Sequence, residues 1–224
     1  MTTLYIVATP IGNLEDITYR AVRILGSVAI IAAEDTRRIR KLLNHYSITP
    51  PRLISCRAQN ESESADGIVK LLNEGKDVAF VSDAGTPGIS DPGTRLVNVV
   101  RRGGHRIVPI PGVSATTALL SVSGIAGKGF LFEGFLSPKA GRRRSRLSEL
   151  LNTDMVFIVY ESPHRVHRLL QDIAELTPAR PILLGREVTK KFEEILSGTA
   201  PELLAILGLR SMIKGEITVI VGKG

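Results

Sequence analysis

The feature that most constrains this chain is the alternation of short apolar runs with stretches of helical period. An apolar run from Leu4 to Thr9 is followed by a helical stretch from Ile17 to Leu25, with Asp16 as its expected cap. The alternation predicts further strands at 29–33, 52–55, 77–82 and 106–109, with helices around 39–46, 65–72 and 93–102. Repeated β-α units favour a largely parallel sheet covered by helices, so the fold class is α/β.

The second half of the chain contains more strands and fewer helices. Apolar runs at 130–135, 155–160, 181–185, 193–198 and 216–222 predict five strands, two of which should pair without a helix crossover in a mixed sheet. Ser162 before Pro163 predicts a helix that is capped by the serine and begins at the proline. A change to Ser, Gly, Thr and Ala near 113–129 marks the junction of two α/β domains, 1–116 and 117–224.

Composition narrows the class of protein. The 224 residues include a single cysteine, so no internal disulfide can form, and no apolar run approaches the ~18 residues that a membrane helix needs. The N-terminal sequence has no basic flank or signal pattern, so we expect a cytoplasmic protein without a membrane partner.

The formal net charge is +7, and five cations fall between residues 139 and 146, with no acid from 134 to 148. With no Trp, six Phe and four Tyr, any binding of nucleic acid must depend on charge and shape.

Three strand ends carry loops rich in glycine and proline. The longest, SDAGTPGISDPG at 82–93, directly follows an apolar strand, and similar loops follow the first and fifth strands at 8–13 and 109–115. Ligands of parallel α/β sheets bind beyond the carboxyl ends of the strands, so these loops predict one pocket. The 82–93 loop lacks the phosphate-loop pattern and the dinucleotide fingerprint, which disfavours nucleoside triphosphates and NAD.

An ordered set of motifs extends through nearly the whole chain. It comprises TPIGNLEDIT at 9–18, AEDTR at 33–37, the 82–93 loop, PGVSA at 111–115, EGFL at 133–136, GRR at 141–143, YESPHR at 160–165, REVTK at 186–190 and KGE at 214–216. The set resembles the ribosomal small-subunit RNA cytidine 2′-O-methyltransferases of the tetrapyrrole methylase superfamily. Where that family usually has His-x-His-Asn-Glu, this chain has Arg57-Ala58-Gln59-Asn60-Glu61.

The resemblance implies two α/β domains, S-adenosyl-L-methionine held in the cleft between them, a homodimer, and small-subunit ribosomal RNA or the assembled small subunit as partner. It assigns nine positions to cofactor binding: Ile11, Asp83, Gly85, Thr86, Ser114, Ala115, Tyr160, Gly215 and Glu216.

Methyl transfer to a ribose hydroxyl requires alignment of the reactants and a group that removes the hydroxyl proton. The candidates for that group are Glu34, Asp35 and Glu187, with Arg37, Arg186 and Lys190 positioning phosphate or lowering a neighbour's pKa. The alternative for Glu34 to Arg37 is a helix cap with an ion pair. The cations Arg38, Arg40 and Lys41 lie on a helix with an apolar opposite face, and we interpret them as a solvated surface.

The basic run predicts an RNA phosphate contact made by Lys139, Arg142, Arg143, Arg144 and Arg146, in addition to Arg186 and Lys190. His164 and His167 are three apart on a helix, but without a third ligand nearby we expect no metal. Two alternatives remain open: a small-molecule tetrapyrrole methylase, and a non-catalytic S-adenosylmethionine-binding protein associated with the ribosome. An uncompensated string of cations favours RNA over a carboxylated macrocycle.

Overall fold

The computed structural model describes residues 2–49, 51–125 and 127–224. The chain folds into two units, an N-terminal unit that ends at Ser114 and a C-terminal unit that begins at Ala115, whereas the sequence places the junction after residue 116. None of the helices in the described residues combines the length and apolar character needed to cross a membrane.

The N-terminal unit contains a five-stranded parallel sheet. Its elements in chain order are β1 (Thr3–Val7), α1 (Tyr19–Ser27), β2 (Ile30–Ala33), α2 (Thr36–His45), β3 (Arg52–Ser55), α3 (Glu61–Asn73), β4 (Val78–Val81), α4 (Thr94–Arg102) and β5 (Arg106–Ile110). The strand order is β3-β2-β4-β1-β5, and every neighbouring pair is parallel. The predicted parallel sheet is therefore confirmed.

Helices cover both faces of this sheet. On one face, α1 and α2 pack against alternate strand residues such as Val7 and Ile31; on the other, α3 and α4 pack against Leu4 and Phe80. The chain leaves β1 for the α1 face and leaves β4, its neighbour in the sheet, for the α4 face. A crevice opens where neighbouring strands send their connections to opposite faces, and ligands of such sheets bind there.

The C-terminal unit contains a five-stranded mixed sheet in the order β6-β7-β10-β8-β9. Its elements are α5 (Ala115–Ser121), β6 (Phe130–Phe135), α6 (Ala140–Asn152), β7 (Val156–Glu161), α7 (Val166–Leu176), β8 (Ile182–Arg186), β9 (Glu194–Gly198), α8 (Ala200–Gly208) and β10 (Ile217–Val221). β6 and β7 are parallel, and the other neighbours are antiparallel. Helices α6, α7 and α8 cover one face, and α5 packs on the other.

Two predicted helix starts are wrong. Asp16 does not cap α1: it ends a short 3-10 turn, and the Thr18 hydroxyl accepts the Ala21 N–H at 3.1 Å instead. Helix α7 does not begin at Pro163 with Ser162 as its cap, because the buried Glu161 carboxylate accepts the Ser162 N–H at 2.7 Å and also binds the Arg165 guanidinium. The Ser162 carbonyl accepts the N–H groups of Arg165 and Val166 at 3.0 and 3.1 Å, which closes a turn over 162–165, and α7 begins at Val166.

Candidate active site

The three predicted loops meet at the carboxyl edge of the N-terminal sheet. Thr9 and Gly85 exchange two backbone hydrogen bonds of 2.9 Å, which join the loop after β1 to the loop after β4. The Thr86 hydroxyl donates to the Val113 carbonyl at 3.1 Å and so joins the β4 loop to the loop after β5. The loops therefore form one continuous rim at the switch point of the sheet.

Two glycines allow the loop backbones to come this close. Gly85 has φ +74°, and a Cβ atom there would lie 3.3 Å from Ile11 Cγ2 and 3.6 Å from the Val113 carbonyl oxygen. A Cβ at Gly112 would lie 2.9 Å from the Cβ of Ala8. A side chain at either position would force the loops apart. The rim is a cradle made mostly of main chain.

The structure places the predicted cofactor residues in two groups. Ile11, Asp83, Gly85, Thr86 and Ser114 belong to the three loops of the rim. The other four belong to the C-terminal unit. Ala115 is the first residue of α5, Tyr160 lies in β7, where its hydroxyl is 3.0 Å from that of Thr116, and Gly215 and Glu216 precede β10.

Glu34 follows β2 directly and is half-buried beside the β4 loop. Its backbone N–H reaches the Val81 carbonyl, and its carboxylate accepts the backbone N–H of Asp83. Burial, and next the negative charge of Asp83, raise the pKa of Glu34, while Arg38 and Arg57 partly oppose the shift. A carboxylate with a raised pKa beside a cradle of loops is suited to accept a proton.

Asp35 and Arg37 form a helix cap and an ion pair, which is the structural alternative to a catalytic role for these residues. The Asp35 carboxylate accepts the Arg37 backbone N–H at 2.8 Å as the cap of α2, and it also pairs with the Arg37 guanidinium at 2.7 Å. The side-chain and backbone bonds from Arg37 hold the pKa of Asp35 far below its ordinary value. A carboxylate that holds protons so weakly is a poor general base.

A pocket of about 230 Å³ lies between the β1 loop, the β4 loop and α2, which we call the α2 pocket. It is lined by Thr9, Pro10, Leu14, Arg38, Ile39, Lys41, Leu42, Ser82 and Asp83. Two polar atoms of this lining, Thr9 Oγ1 and Asp83 Oδ1, are buried and have no hydrogen-bond partner within the part of the chain that is described. Sequence reasoning missed Thr9, Arg38 and Lys41, and no local pattern distinguishes these two cations from the exposed Arg40 beside them.

Glu187 belongs to a compact ionic cluster at the ends of β8 and β10. Its carboxylate binds Lys190 Nζ at 2.9 Å and accepts the Glu216 N–H at 3.0 Å, and Lys190 also pairs with Glu216 at 3.0 Å. The bond from Lys190 lowers the pKa of Glu187. A Cβ at Gly215, which has φ +95°, would overlap the Glu187 side chain, so glycine is required for this approach. Glu187 itself has φ +53°, a conformation that this packing maintains.

The basic segment of α6 is largely neutralised in space. Arg143 is buried and pairs with the buried Asp172 at 2.6 Å. Arg144 pairs with Glu175 and Asp172, and Arg146 with Glu133 at 2.8 Å and Glu149 at 2.7 Å. Lys139 and Arg142 are exposed and have no ion pair among the described residues. Arg186, outside this segment, pairs with Glu194 at 3.0 Å.

The segment that departs from the family's histidine pattern has structural partners. Asn60 Oδ1 accepts the Arg57 backbone N–H at 2.7 Å. Glu61 Oε1 accepts the N–H groups of Gly93, Arg95 and Leu96 at 2.9–3.1 Å, so it caps α4 from a distant part of the sequence. Across the described ranges, no three His, Cys, Asp or Glu side chains come together as metal ligands.

Comparison with known proteins gives a consistent result. The family model for tetrapyrrole (corrin/porphyrin) methylases matches residues 3–204. The chain is 46% identical to a curated "Ribosomal RNA small subunit methyltransferase I" from Neisseria meningitidis serogroup A, over 98% of this chain and 75% of that protein. It is also 46% identical to the protein of the same name from Borrelia garinii subsp. bavariensis, over 98% of each.

Among solved structures, uroporphyrin-III-C-methyltransferase from Thermus thermophilus is similar in fold. The superposition has a TM-score of 0.69 and covers 100% of this chain and 95% of that chain, at 19% sequence identity. Three findings agree with one another. The family model matches most of the chain, curated relatives are similar over nearly its full length, and the solved structure shares its architecture. The chain belongs to the tetrapyrrole (corrin/porphyrin) methylase family.

Proposed function

We propose that this protein is an S-adenosylmethionine-dependent methyltransferase that methylates small-subunit ribosomal RNA. The observation that carries the proposal is the 46% identity over 98% of the chain to curated proteins named for that activity. The finer assignment, the ribose 2′-hydroxyl of a cytidine, is what the resemblance of the motifs to cytidine 2′-O-methyltransferases implies. The proposal includes a cytoplasmic place of action and a homodimer.

The rim of the N-terminal unit fits the cofactor. S-adenosylmethionine presents a ribose, a charged amino acid group and an adenine edge, which main-chain N–H and carbonyl groups can bind. The close-packed backbones at Gly85 and Gly112 provide such groups without side chains in the way. We assign its binding in this unit to Ile11, Asp83, Gly85, Thr86 and Ser114, and retain Ala115, Tyr160, Gly215 and Glu216 as further candidates.

The chemistry needs few protein groups. When bound, S-adenosylmethionine supplies a methyl group on a positively charged sulfur, which is already electrophilic. The protein must therefore align the hydroxyl and accept its proton. Glu34 is the preferred proton acceptor because burial and the Asp83 charge raise its pKa above the ordinary value of a glutamate. Asp35 and Glu187 are less suited, since Arg37 and Lys190 lower their pKa values.

RNA contact is assigned first to the exposed cations Lys139 and Arg142. Arg143, Arg144, Arg146, Arg186 and Lys190 have carboxylate partners that a phosphate would have to displace. We therefore expect these five to contribute less to RNA affinity than the two exposed cations.

Transfer of labelled methyl groups tests the proposal. The protein is incubated with labelled S-adenosylmethionine and either undermethylated small ribosomal subunits, their free RNA or a porphyrinoid, and the labelled RNA is digested to nucleosides. Label in 2′-O-methylcytidine supports the proposal. Label only in the porphyrinoid identifies a small-molecule methylase, and cofactor binding without transfer identifies a non-catalytic protein; either result overturns the proposal.

A further inference from the structure

The α2 pocket contains two polar atoms whose burial is unexplained by the fold. Thr9 is 5% exposed, and its hydroxyl has no partner in the described chain even though its backbone is fully bonded to Gly85. Asp83 Oδ1 is likewise buried without a partner in the residues that the structure describes. Burial of a polar group without a hydrogen bond destabilises the folded state, so native proteins rarely keep one without a functional reason. Two of them in one pocket indicate a polar ligand that donates hydrogen bonds, as the hydroxyl groups of a sugar do.

Two cations of α2 line the same pocket. Arg38 Nε lies 3.4 Å from Asp83 Oδ2, and 61% of the Arg38 side chain is exposed. Lys41 is exposed and has no ion pair in the described ranges. Residues three apart share one face of a helix, so both cations reach the pocket mouth. A ligand that satisfies Thr9 and Asp83 thus meets positive charge at its outer end.

The volume limits the ligand further. Pockets that enclose a drug-sized molecule measure about 300–1,000 Å³, and this one measures about 230 Å³. A tetrapyrrole macrocycle is too large for it, whereas a pentose with one phosphate is a suitable size. Glu34, whose carboxylate accepts the Asp83 N–H, lies next to the pocket.

From this arrangement we propose that the α2 pocket binds the sugar and phosphate of the RNA nucleotide that receives the methyl group. Thr9 and Asp83 hold the ribose hydroxyls, and Arg38 and Lys41 hold the adjoining phosphate. The inference rests on the proposed function, because it requires an RNA substrate. Asp83 is also a candidate for cofactor binding. The inference therefore places Asp83 between the cofactor and the ribose that accepts the methyl group.

Thr9→Val tests the hydroxyl role. Valine keeps the shape of threonine and the backbone bonds to Gly85, and it removes the unsatisfied hydroxyl. We expect the melting temperature to stay equal or rise and the affinity for S-adenosylmethionine to stay equal. The kcat/KM for undermethylated small subunits should fall about tenfold, as for loss of a ligand hydrogen bond. An unchanged kcat/KM would overturn the role of Thr9.

Lys41→Gln and Arg38→Gln test the phosphate role, with Arg40→Gln as the matched control. Arg40 lies on the same helix, carries the same charge and does not line the pocket. Binding of small-subunit ribosomal RNA without cofactor is measured at several salt concentrations. Each pocket variant should weaken binding about three- to tenfold and lower the salt slope by about 0.7, whereas the control should change neither by as much.

The outcomes separate this inference from the proposed function. If wild-type protein methylates RNA but the pocket variants behave like Arg40→Gln, the pocket inference is wrong and the proposed function stands. If wild-type protein transfers no methyl group to RNA, both are wrong. Selective loss in the pocket variants, with cofactor affinity retained, supports both.

Discussion

Helices α2 and α6 both carry a dense run of cations, but the two runs differ in how many of their charges are paired with carboxylates. In α6, Arg143, Arg144 and Arg146 pair with carboxylates of β6, α6 and α7. In α2, Arg38 and Lys41 line a pocket with unsatisfied polar atoms. The sequence favours α6 for RNA binding and a solvated surface for most of α2. The two helices show that a cluster of charge in sequence need not be a cluster of available charge in the folded protein.

The difference arises because two of the acids that neutralise the α6 arginines lie far from them in the sequence. Asp172 lies 29 residues after Arg143, and Glu175 lies 31 residues after Arg144. A window of sequence around α6 includes neither acid. Only the packing of α6 beside α7 brings them together, and the result is one buried ion pair surrounded by exposed ones.

The largest expected effect is that of Arg143→Ala. Its guanidinium and the Asp172 carboxylate are both more than nine-tenths buried, so the substitution leaves that carboxylate with only the 3.4 Å contact from Arg144 to offset its charge. We expect a loss of about 3–5 kcal/mol in the free energy of unfolding, measured by urea denaturation. Arg142→Ala, one residue away and exposed, is the matched control and should change stability by less than about 0.5 kcal/mol.

If Arg143→Ala retains wild-type stability, the pair with Asp172 is not structural. Arg143 would then be available to bind phosphate, and α6 would resemble α2 in having unpaired cations.

The next effect is that of Glu34→Gln, which tests whether the chemistry lies beside α2 in the N-terminal unit. The amide cannot accept a proton, so kcat should fall about 100-fold, the lower end for loss of a general base. In the wild type, activity should be lost as pH falls through the pKa of Glu34, which burial and the Asp83 charge raise above its ordinary value. That pH dependence should disappear in the variant, as measured by single-turnover methylation across pH.

Stability provides the control for Glu34→Gln. A raised pKa in the folded state means that the ionised carboxylate is disfavoured by folding, so its stability contribution declines as pH rises through that pKa. At neutral pH the amide should therefore leave stability unchanged or increase it. An unchanged single-turnover rate would exclude Glu34 as the base, and Glu187→Gln would be tested next.

Much of the fold was predictable from the alternation of apolar runs. All ten strands lie within a residue or two of their predicted positions. Most of them are apolar segments that turn residues bound on both sides. Helices α5 and α8 were not predicted. The apolar residues of α5 lie in a segment rich in Ser, Thr and Gly, and α8 has apolar residues on most of its surface, so neither shows a clear polar face. The two wrong helix starts involve local side-chain bonds: Thr18, itself a favoured cap residue, competes with Asp16, and Glu161 competes with Ser162.

The candidate site was predictable only in outline. Glycine and proline in the three loops indicated where a ligand would bind, and the order of motifs indicated the family, which the comparisons confirm. The sequence could not show that Asp35 is occupied by Arg37, or that Thr9 and Asp83 retain unsatisfied atoms. Hydrogen-bond satisfaction depends on the three-dimensional neighbours of each atom, and those of Thr9 include α2 and the distant loop after β4.

The smallest effects distinguish the cations of the α6 segment from one another. Lys139→Gln with Arg142→Gln removes two exposed, unpaired charges, whereas Arg144→Gln with Arg146→Gln removes two charges that carboxylates already neutralise. The first double variant should lower the salt slope of RNA binding by about 1.4, at about 0.7 for each phosphate that is no longer neutralised, and should leave the unfolding midpoint unchanged. The second should leave the salt slope nearly unchanged, because arginines that are already paired with carboxylates neutralise no RNA phosphate. It should also shift the unfolding midpoint only slightly. Both variants change the formal net charge of the chain equally, so a long-range effect of net charge would lower the two slopes equally. Equal slopes would mean that RNA responds to the total charge of the segment, and the pairing seen in α6 would then have no bearing on binding.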